Sequence, residues 1–275
     1  MKPGYNPVIN YQGINVKRED LCGSGEAPGL FKLRGLFRLV EDTESQFIGI
    51  VDGPHSRNGW ALAYVCNRLD RRAIVFWPKR KSMSKVAPLI AEGLSRNNAR
   101  IMGATIVPLQ AARSTVMNAR AREYMERFNS CEMVPPAVRL EQTVEEYQKV
   151  IESDQESIAT MGSVIIPVGT GTWAAGILRG MNKINASPKV FLHLSYHQNH
   201  SRLVSYIEKA SGVSVNTSTV IVDELFSHNS KLKARIPFPA CSYHEAKAWD
   251  WMIRNRKQIR EPIWFWNGGD DRFTM

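Results

Sequence analysis

The sequence predicts an α/β protein of two lobes, each a mostly parallel sheet flanked by helices. Short apolar runs such as Phe47 to Val51 and Val164 to Val168 indicate buried strands. Segments of helical length follow these runs, and this alternation favours parallel sheets covered by helices. The alternation is interrupted at Val134-Pro135-Pro136 and then restarts. We therefore expect two lobes with a cleft between them, which is where ligands usually bind.

The first half of the chain contains three predicted strands and three predicted helices. The strands cover residues 47–51, 73–77 and 105–109. The helices cover residues 58–69, 82–97 and 111–128. A turn at Gly53-Pro54 is expected after the first strand, and Pro78 is expected to end the second.

The second half begins with a long predicted helix over residues 143–161. The strands that follow are predicted at residues 164–168, 189–194, 219–222 and 263–266. The helices are predicted at residues 173–182, 203–210 and 243–254. Residues 1–45 and 150–275 are assigned to a large domain, and residues 46–149 to a small one.

Composition places the chain among soluble globular proteins, with 43% hydrophobic and 23% charged residues in a length of 275. No apolar run is long enough to span a bilayer, and the first residues lack the apolar core of a signal peptide. The four cysteines are scattered, without the spacing of a disulfide framework or a zinc site. We expect a cytoplasmic protein without a membrane partner, in the host cytoplasm if the chain is viral.

The formal net charge is +10, which a metabolic enzyme with a small substrate does not require. Two explanations remain open: a surface that binds a polyanion such as nucleic acid, or a basic surface that is simply solvated. The basic residues are concentrated in one region with few acids: Arg68, Arg71, Arg72, Lys79, Arg80, Lys81, Lys85, Arg96, Arg100, Arg113, Arg120, Arg122 and Arg127.

The segment from Pro28 to Gly35 contains a single lysine, Lys32, beside an aromatic residue and between two glycines. Burial in a partly apolar pocket would lower the pKa of this amine, because it disfavours the charged form. The free amine could then form a Schiff base with the aldehyde of a cofactor. Taken in isolation, a lysine near the start of a chain is more often a surface residue.

A glycine-rich loop lies between the predicted strand ending at Val168 and the predicted helix that follows. The loop consists of Gly169, Thr170, Gly171 and Thr172. Glycines allow backbone N–H groups to converge on an anion, and the helix N-terminus adds a favourable dipole. The loop lacks the lysine of an ATP-binding P-loop and the glycine spacing of a dinucleotide fingerprint. A purely structural turn is the alternative.

Five segments, in order along nearly the whole chain, resemble motifs of the fold type II enzymes that use pyridoxal 5′-phosphate (PLP). This superfamily includes tryptophan synthase β, threonine synthase and the aminocyclopropane-carboxylate deaminase/D-cysteine desulfhydrase group. The matching segments are Lys17 to Leu21, Phe31 to Gly35, His55 to Gly59, Gly169 to Gly176, and Trp266 to Gly269. The second is similar to Ser-Phe-Lys-x-Arg-Gly and the fourth to Gly-Ser-Gly-Gly-Thr-x-Ala-Gly.

The resemblance implies a two-lobed PLP enzyme whose large domain binds the cofactor and whose lysine, Lys32, forms the Schiff base. It places Ser56, Arg57 and Asn58 in the loop that contacts the substrate carboxylate, with Asn58 also touching the cofactor. The loop from Gly169 to Thr172 would hold the phosphate. Relatives are commonly dimers, so a homodimer is expected.

Asn267 lies in the closing motif, Trp266 to Gly269, and is the first candidate to face the pyridine nitrogen of the cofactor. Tyr243 and Glu245 are rivals, since they lie roughly where the deaminase group places a tyrosine and a glutamate near the ring. A carboxylate would keep that nitrogen protonated, whereas an amide would not. An exposed helix start, with Glu245 as a favourable first-turn charge, is the ordinary alternative for the last two residues.

The chain departs from the family motifs at Arg57, Thr172, Trp173 and Asn267. Its substrate is therefore not expected to be that of a metabolic member. The favoured hypothesis is a lyase acting at Cα, a decarboxylase that trims an amino acid attached to nucleic acid, as PLP enzymes do during phage thymidine hypermodification. A deaminase or desulfhydrase of a small free amino acid is the second hypothesis. A non-catalytic binding protein of the same fold is the third.

Three histidines, His193, His197 and His200, raise the possibility of a metal site. The first is predicted to end a strand, so the trio does not share one helix face, and no cysteine or carboxylate lies beside it in the sequence. A hydrogen-bonded or surface role is favoured over zinc, and no metal is predicted.

Overall fold

A computed structural model describes residues 6–23, 25–53, 56–79, 90–215, 217–228 and 230–271, the side chains of residues 90–93 excepted. The strands are β1 (Val8–Tyr11), β2 (Ile14–Arg18), β3 (Phe47–Val51), β4 (Arg72–Lys79), β5 (Thr105–Gln110), β6 (Cys131–Met133), β7 (Ser163–Val168), β8 (Lys189–Leu194), β9 (Thr219–Val222) and β10 (Ile263–Asn267). The helices are α1 (Leu33–Asp42), α2 (Asn58–Arg68), α3 (Ile90–Ile101), α4 (Ser114–Met125), α5 (Glu141–Ser153), α6 (Gln155–Ala159), α7 (Thr172–Lys183), α8 (His200–Ser211) and α9 (Glu245–Asn255).

Two sheets organise these elements, as the predicted two-lobed α/β class requires. The larger has six strands in the order β1-β2-β10-β7-β8-β9, and the smaller has four in the order β5-β4-β3-β6. Every pairing is parallel except that of β1 with β2. In parallel sheets of this kind the carboxyl ends of the strands share one edge, where ligands bind.

Most predicted elements are present within one to three residues of their expected limits. The strands β1, β2 and β6 and the helix α1 were not predicted. Residues Pro54 and His55 and the predicted start of the helix at 82–97 lie outside the described residues. The predicted helix over 143–161 is divided, because Asp154 leaves helical geometry between α5 and α6 and forms a buried ion pair with Lys17 at 2.8 Å.

Pro78 does not end its strand, contrary to the prediction. It lies within β4 and pairs with Leu109 of β5. Phe76, two residues earlier, accepts a hydrogen bond from the backbone N–H of Asp52 on the β3 side. Residues two apart in a strand direct their backbone groups to the same side, so the nitrogen of Pro78 also points to the β3 side. Since β3 ends at Val51 and does not extend alongside Pro78, the missing N–H costs no ladder hydrogen bond.

Helix α7 is held against the rest of the molecule by close contact with α5. A Cβ atom at Gly176 would lie 2.6 Å from the carbonyl oxygen of Val144, and one at Gly180 would lie 2.6 Å from Ile151 Cβ. The two glycines allow the helix backbones to approach, which fixes the start of α7 and the glycine loop before it. Because α5 packs on α7, we propose that the whole of α5 belongs to the large domain, ahead of the predicted limit at residue 150.

Among the described residues, no helix combines the length and the hydrophobicity that crossing a membrane would need.

Candidate active site

A cavity of about 550 Å³ opens between the two sheets and gathers residues that are far apart in the sequence. Its lining includes Lys32, Ser56, Asn58, Gly169, Tyr243 and Glu245. These residues come from the start of α1, the start of α2, the end of β7 and the start of α9. The topology therefore brings together most of the residues predicted to form the site.

Lys32 precedes α1, and its side chain is turned into the cavity with only 8% of the residue exposed. Its Nζ donates a hydrogen bond to the carbonyl oxygen of Ala137 at 3.0 Å. Ala137 has a φ of +61°, a left-handed conformation that non-glycine residues seldom adopt. Burial lowers the pKa of Lys32 to about 8, although the carboxylate of Asp52 opposes the shift. Near neutral pH this amine is therefore uncharged, and so nucleophilic, far more often than an ordinary lysine.

The loop before α2 is fixed by hydrogen bonds that involve its own residues. The backbone N–H of Asn58 donates to Ser56 Oγ at 3.1 Å, and the carbonyl oxygen of Ser56 accepts from Ser95 Oγ at 3.0 Å. The N–H of Gly59 donates to Asp52 Oδ2 at 2.8 Å, and a Cβ at Gly59 would lie 2.7 Å from the same oxygen. The loop therefore presents Ser56 and Asn58 to the cavity in a defined conformation.

Arg57 also lines the cavity, but its guanidinium is engaged. Its Nη1 lies 3.3 Å from Asp270 Oδ1, and both side chains are buried. The positive charge in the predicted substrate loop is therefore paired with a carboxylate of the protein itself.

The glycine loop divides into residues that line the cavity and residues that support it. Gly169 and Thr170 line the cavity, whereas Gly171 and Thr172 are not among its lining residues. Gly171 has a φ of +86°, and a Cβ there would lie 3.0 Å from side chains of α8. The buried Thr172 hydroxyl lies 3.2 Å from that of Thr170 and 3.1 Å from Tyr206 Oη. Hydroxyl contacts thus hold Thr170 in place.

Glu245, at the start of α9, provides an acidic group in the cavity wall. The residue is 3% exposed, and its Oε2 has no hydrogen-bond partner among the described residues. Burial raises the pKa of Glu245 to about 8. A buried carboxyl group with an unused oxygen in a ligand cavity is equipped to bind a ring nitrogen. Its neighbour Tyr243 also lines the cavity.

Asn267 is fully buried and is not among the described residues that line the cavity. Its Nδ2 donates to Asp20 Oδ1 at 2.7 Å and to the carbonyl oxygen of Pro239 at 2.8 Å. The amide is thus occupied in joining β10 to the segment after β2. Of the three candidates for facing the cofactor ring, Tyr243 and Glu245 line the cavity and Asn267 does not, so the contact with the ring stays a prediction that this geometry favours for Glu245.

Several lining residues were not predicted to be in the site. Trp173 stacks on Phe31 with ring centres 4.6 Å apart and donates its indole N–H to the carbonyl oxygen of Pro167. His244 lies beside the glycine loop, where a Cβ at Gly169 would be 3.5 Å from its Cε1. Burial lowers the pKa of His244 to about 3, so its imidazole is neutral. The sequence could have indicated that Trp173 and His244 belong to the site only through their positions in or next to segments that resemble family motifs.

Comparison with known proteins agrees with this geometry. Residues 4–234 match the family described as "Pyridoxal-phosphate dependent enzyme". The chain is 30% identical to the glycyl-dTMP PLP-dependent decarboxylase of Pseudomonas phage M6, with 96% of this chain and 98% of that protein covered. An aminocyclopropane-carboxylate (ACC) deaminase homologue of solved structure has a TM-score of 0.77 at 17% identity, covering 97% and 90% of the two chains. Maize serine racemase has a TM-score of 0.64 at 12% identity, covering 98% and 89%.

The fold and the cavity define a two-lobed enzyme of fold type II. The chain belongs to the pyridoxal-phosphate dependent enzyme family. It is a PLP-dependent enzyme, as predicted, and the alternative of a non-catalytic binding protein is set aside.

The described residues fit this cofactor. Lys32 offers a buried amine with a lowered pKa, and Glu245 offers an unpartnered carboxyl oxygen in the same cavity. Gly169 and Thr170 line the cavity where β7 ends and α7 begins, a suitable place for the phosphate. When bound, PLP supplies an electron sink for the pair that remains on Cα after a bond to that carbon breaks.

Proposed function

We propose that this enzyme is a lyase that decarboxylates an amino acid attached to a thymidine nucleotide. The observation that carries the proposal is the 30% identity, over nearly the full length of both chains, to a protein named as a glycyl-dTMP decarboxylase. The cavity supports it, since a buried amine, a phosphate-type loop and a buried carboxyl group converge there.

In this reaction the bond between Cα and the carboxylate carbon breaks, and CO₂ leaves without the bonding electrons. The pair remains on Cα, which then takes up one proton. We assign the delivery of that proton to Lys32, because its buried amine can exist in both protonation states near neutral pH. Tyr243 is proposed as a second catalytic residue on the basis of its place in the cavity wall.

The remaining roles follow from position in the cavity. Ser56 and Asn58 are proposed to orient the substrate carboxylate, and Asn58 also to contact the cofactor. Gly169 and Thr170 are proposed to bind the cofactor phosphate, with Gly171 and Thr172 shaping the loop beneath them.

The pairing of Arg57 with Asp270 suits a decarboxylase. A guanidinium directed at the substrate carboxylate would stabilise its negative charge and oppose loss of CO₂. With Asp270 neutralising Arg57, the carboxylate would meet hydroxyl and amide groups instead. We propose that Arg57 contributes to the substrate site mainly by fixing the loop.

The nucleotide part of the substrate would lie at the cavity mouth, where the chain is basic. Lys231 Nζ lies 4.9 Å from the centre of the Tyr243 ring, which lines the cavity. Residues 225–244 contain no acid, and Lys231, Lys233 and Arg235 are all exposed. We propose that this basic segment, residues 231–235, contacts phosphates of the substrate and, where the nucleotide is part of DNA, of the flanking strand.

The test is an assay of purified, PLP-loaded protein on three substrates: a glycine-bearing thymidine nucleotide, the same modification within an oligonucleotide, and free glycine. We expect CO₂ release and the matching mass loss from a nucleotide-linked substrate, and none with the Lys32→Ala variant. Turnover of free glycine at an equal rate would contradict the proposal. Release of ammonia from a free amino acid would instead support the deaminase hypothesis, which otherwise rests on likeness of fold to an ACC deaminase homologue.

We also propose that the enzyme acts as a homodimer in the cytoplasm, that of the host if the chain is viral. Light scattering of the PLP-loaded protein measures the first point directly. A mass of one chain across the working concentration range would exclude the dimer.

A further inference from the structure

Three side chains with metal-binding groups meet at the carboxyl edge of the large sheet. His197 lies in the loop after β8, His200 is the first residue of α8, and Asp223 directly follows β9. His197 Nδ1 and His200 Nε2 each lie 2.7 Å from Asp223 Oδ2. The three ligand atoms all lie within 4.8 Å of one another. The sequence did not reveal this group, since the carboxylate is more than twenty residues from the histidines and only the pairing of β8 with β9 brings it near.

We infer that His197, His200 and Asp223 form a binding site for a divalent transition metal, with zinc the best match. Two imidazole nitrogens and one carboxylate oxygen are a common zinc ligand set, and water can complete the tetrahedron. Magnesium and calcium are disfavoured, because they prefer sites built from oxygen ligands. Both imidazoles are hydrogen-bonded to Asp223 Oδ2, and coordination of an ion would replace these two hydrogen bonds.

The ligands are held in place by contacts that do not involve a metal. The N–H of Leu225 donates to Asp223 Oδ1 at 2.9 Å, so Oδ2 is the oxygen presented to the histidines. The N–H of His197 donates to the carbonyl oxygen of Phe226 at 2.7 Å. Such supporting hydrogen bonds orient metal ligands and raise affinity. The side chains of His197 and His200 are 60% and 45% exposed, so an ion can enter from solvent.

An ion here would join the two loops that form one wall of the cofactor cavity. The loop after β8 carries Tyr196, and the segment after β9 carries His228; both line the cavity, and their ring centres are 4.6 Å apart. In the first loop, Gln198 donates from Nε2 to the carbonyl oxygen of Gly169 at 2.9 Å. Metal binding is therefore expected to stabilise the wall beside the glycine loop and to slow release of the cofactor.

The test uses untagged full-length protein, because a polyhistidine tag would bind the same metals. After treatment with a chelator and removal of the chelator, equilibrium dialysis against Zn²⁺ should show one ion per chain. The melting temperature should rise by about 5 °C at a hundredfold excess of Zn²⁺ over its Kd. Substitution of Co²⁺ should give the intense visible absorption of a tetrahedral site. Chelator treatment should also speed cofactor release into a PLP-trapping protein.

The His200→Ala and Asp223→Asn variants should lose this ion and the rise in melting temperature. Glu224→Gln is the matched control, because it removes the adjacent carboxylate, which pairs with His193 and Arg254 instead. The control should bind Zn²⁺ like the unaltered protein. Absence of stoichiometric Zn²⁺ binding, or equal binding by His200→Ala, would overturn the inference. The His200 side chain is exposed and that of Asp223 is only 8% exposed, so circular dichroism would verify that both variants fold before the metal assay.

Discussion

The guanidinium of Arg57, which lines the cofactor cavity, and the carboxylate of Asp270 form a buried ion pair with Nη1 and Oδ1 3.3 Å apart. Arg57 precedes α2, which packs on the small sheet, whereas Asp270 follows β10 of the large sheet. The backbone N–H of Asp270 also donates to the carbonyl oxygen of Gly29, three residues before Lys32. Through this ion pair and its backbone hydrogen bond, Asp270 connects the predicted substrate loop, the lysine segment and the C-terminal segment.

Replacing Asp270 with Asn should destabilise the protein strongly. The variant retains a buried guanidinium without the charge that balances it, which typically costs about 3–5 kcal/mol. Urea unfolding followed by tryptophan fluorescence measures the loss. Asp271→Asn is the control, since Asp271 is exposed and, among the described residues, accepts only a backbone hydrogen bond from Ser242 at 3.1 Å. Equal losses of unfolding free energy in the two variants would show that the buried ion pair contributes no more to stability than the exposed carboxylate does.

Replacing Lys32 with Ala should abolish covalent retention of PLP and lower kcat by at least about 10³-fold, in the upper part of the range for lost acid–base catalysis. Lys247 is a stringent comparison, because burial lowers its pKa to about 8 as well, while its Nζ is bound to the carbonyl oxygen of Ser195. Borohydride reduction and peptide mass mapping should label Lys32 alone. A label on Lys247 would refute the assignment of the catalytic lysine.

Glu245→Gln and Asn267→Ala should fail in different ways. The first replaces the carboxyl group whose Oε2 is unpartnered by an amide of the same shape, so kcat should fall by about 10²-fold without a loss of unfolding free energy. The second removes two buried hydrogen bonds and should lower the free energy of unfolding by about 1–3 kcal/mol. Kinetics and urea unfolding of both variants separate these effects. A larger loss of kcat in Asn267→Ala than in Glu245→Gln would indicate that Asn267, and not Glu245, contacts the cofactor ring.

The buried carboxyl group of Glu245 should also impose a pH dependence on the stability of the cofactor-free protein. Its pKa is raised by burial from the ordinary 4.5 to about 8, so between these values the folded chain holds a proton that the unfolded chain releases. The free energy of unfolding contributed by this group is therefore complete below pH 4.5 and falls as the pH rises to 8.

The measurement is the difference in unfolding free energy between the unaltered protein and Glu245→Gln at several pH values from 4.5 to 8.5. The shifted groups Lys32 and His244 are present in both proteins and cancel to first order. The unaltered protein should lose stability relative to the variant as the pH rises. A difference that stays constant across this range would mean that the carboxyl group ionises normally.

Neutralising the basic segment at the cavity mouth should weaken binding of a DNA substrate and its dependence on salt. Replacing Lys231, Lys233 and Arg235 with Ala removes up to three phosphate contacts, so the slope of log K against log salt should become shallower by about 2 to 3. Lys183→Ala is a control at the far end of α7 from the glycine loop. An unchanged slope in the triple variant would place the DNA contact elsewhere.

Much of the site could be found in the sequence because it depends on local motifs. The segment around Lys32 and the turn from Gly169 to Thr172 each combine residue types that only a small set of chemistries requires. The glycine turn lies in the predicted strand–helix framework, which the structure reproduces as two mostly parallel sheets, whereas β2 and α1, which flank the Lys32 segment, were not predicted. Local hydrophobic patterns determine such elements because a buried strand and an amphipathic helix each need one particular periodicity.

The assignments that depended on long-range packing could not be made in this way. Whether Asn267 or Glu245 faces the cavity depends on the contacts of Asn267 with Asp20 and Pro239, residues distant in the chain. Pro78 continues a strand because its neighbour β3 has already ended, a fact that no local pattern contains.

The sequence by itself determined the fold class, through its short-range patterns, and the cofactor, through its resemblance to a known family, while the role of Lys32 stays a prediction. Only the tertiary structure decided which groups face the cavity, which charges are paired and where Asp223 meets His197 and His200. Those outcomes depend on the order of strands in a sheet, which places residues that are far apart in the chain side by side. Burial at the resulting contacts then sets the pKa values on which the chemistry depends.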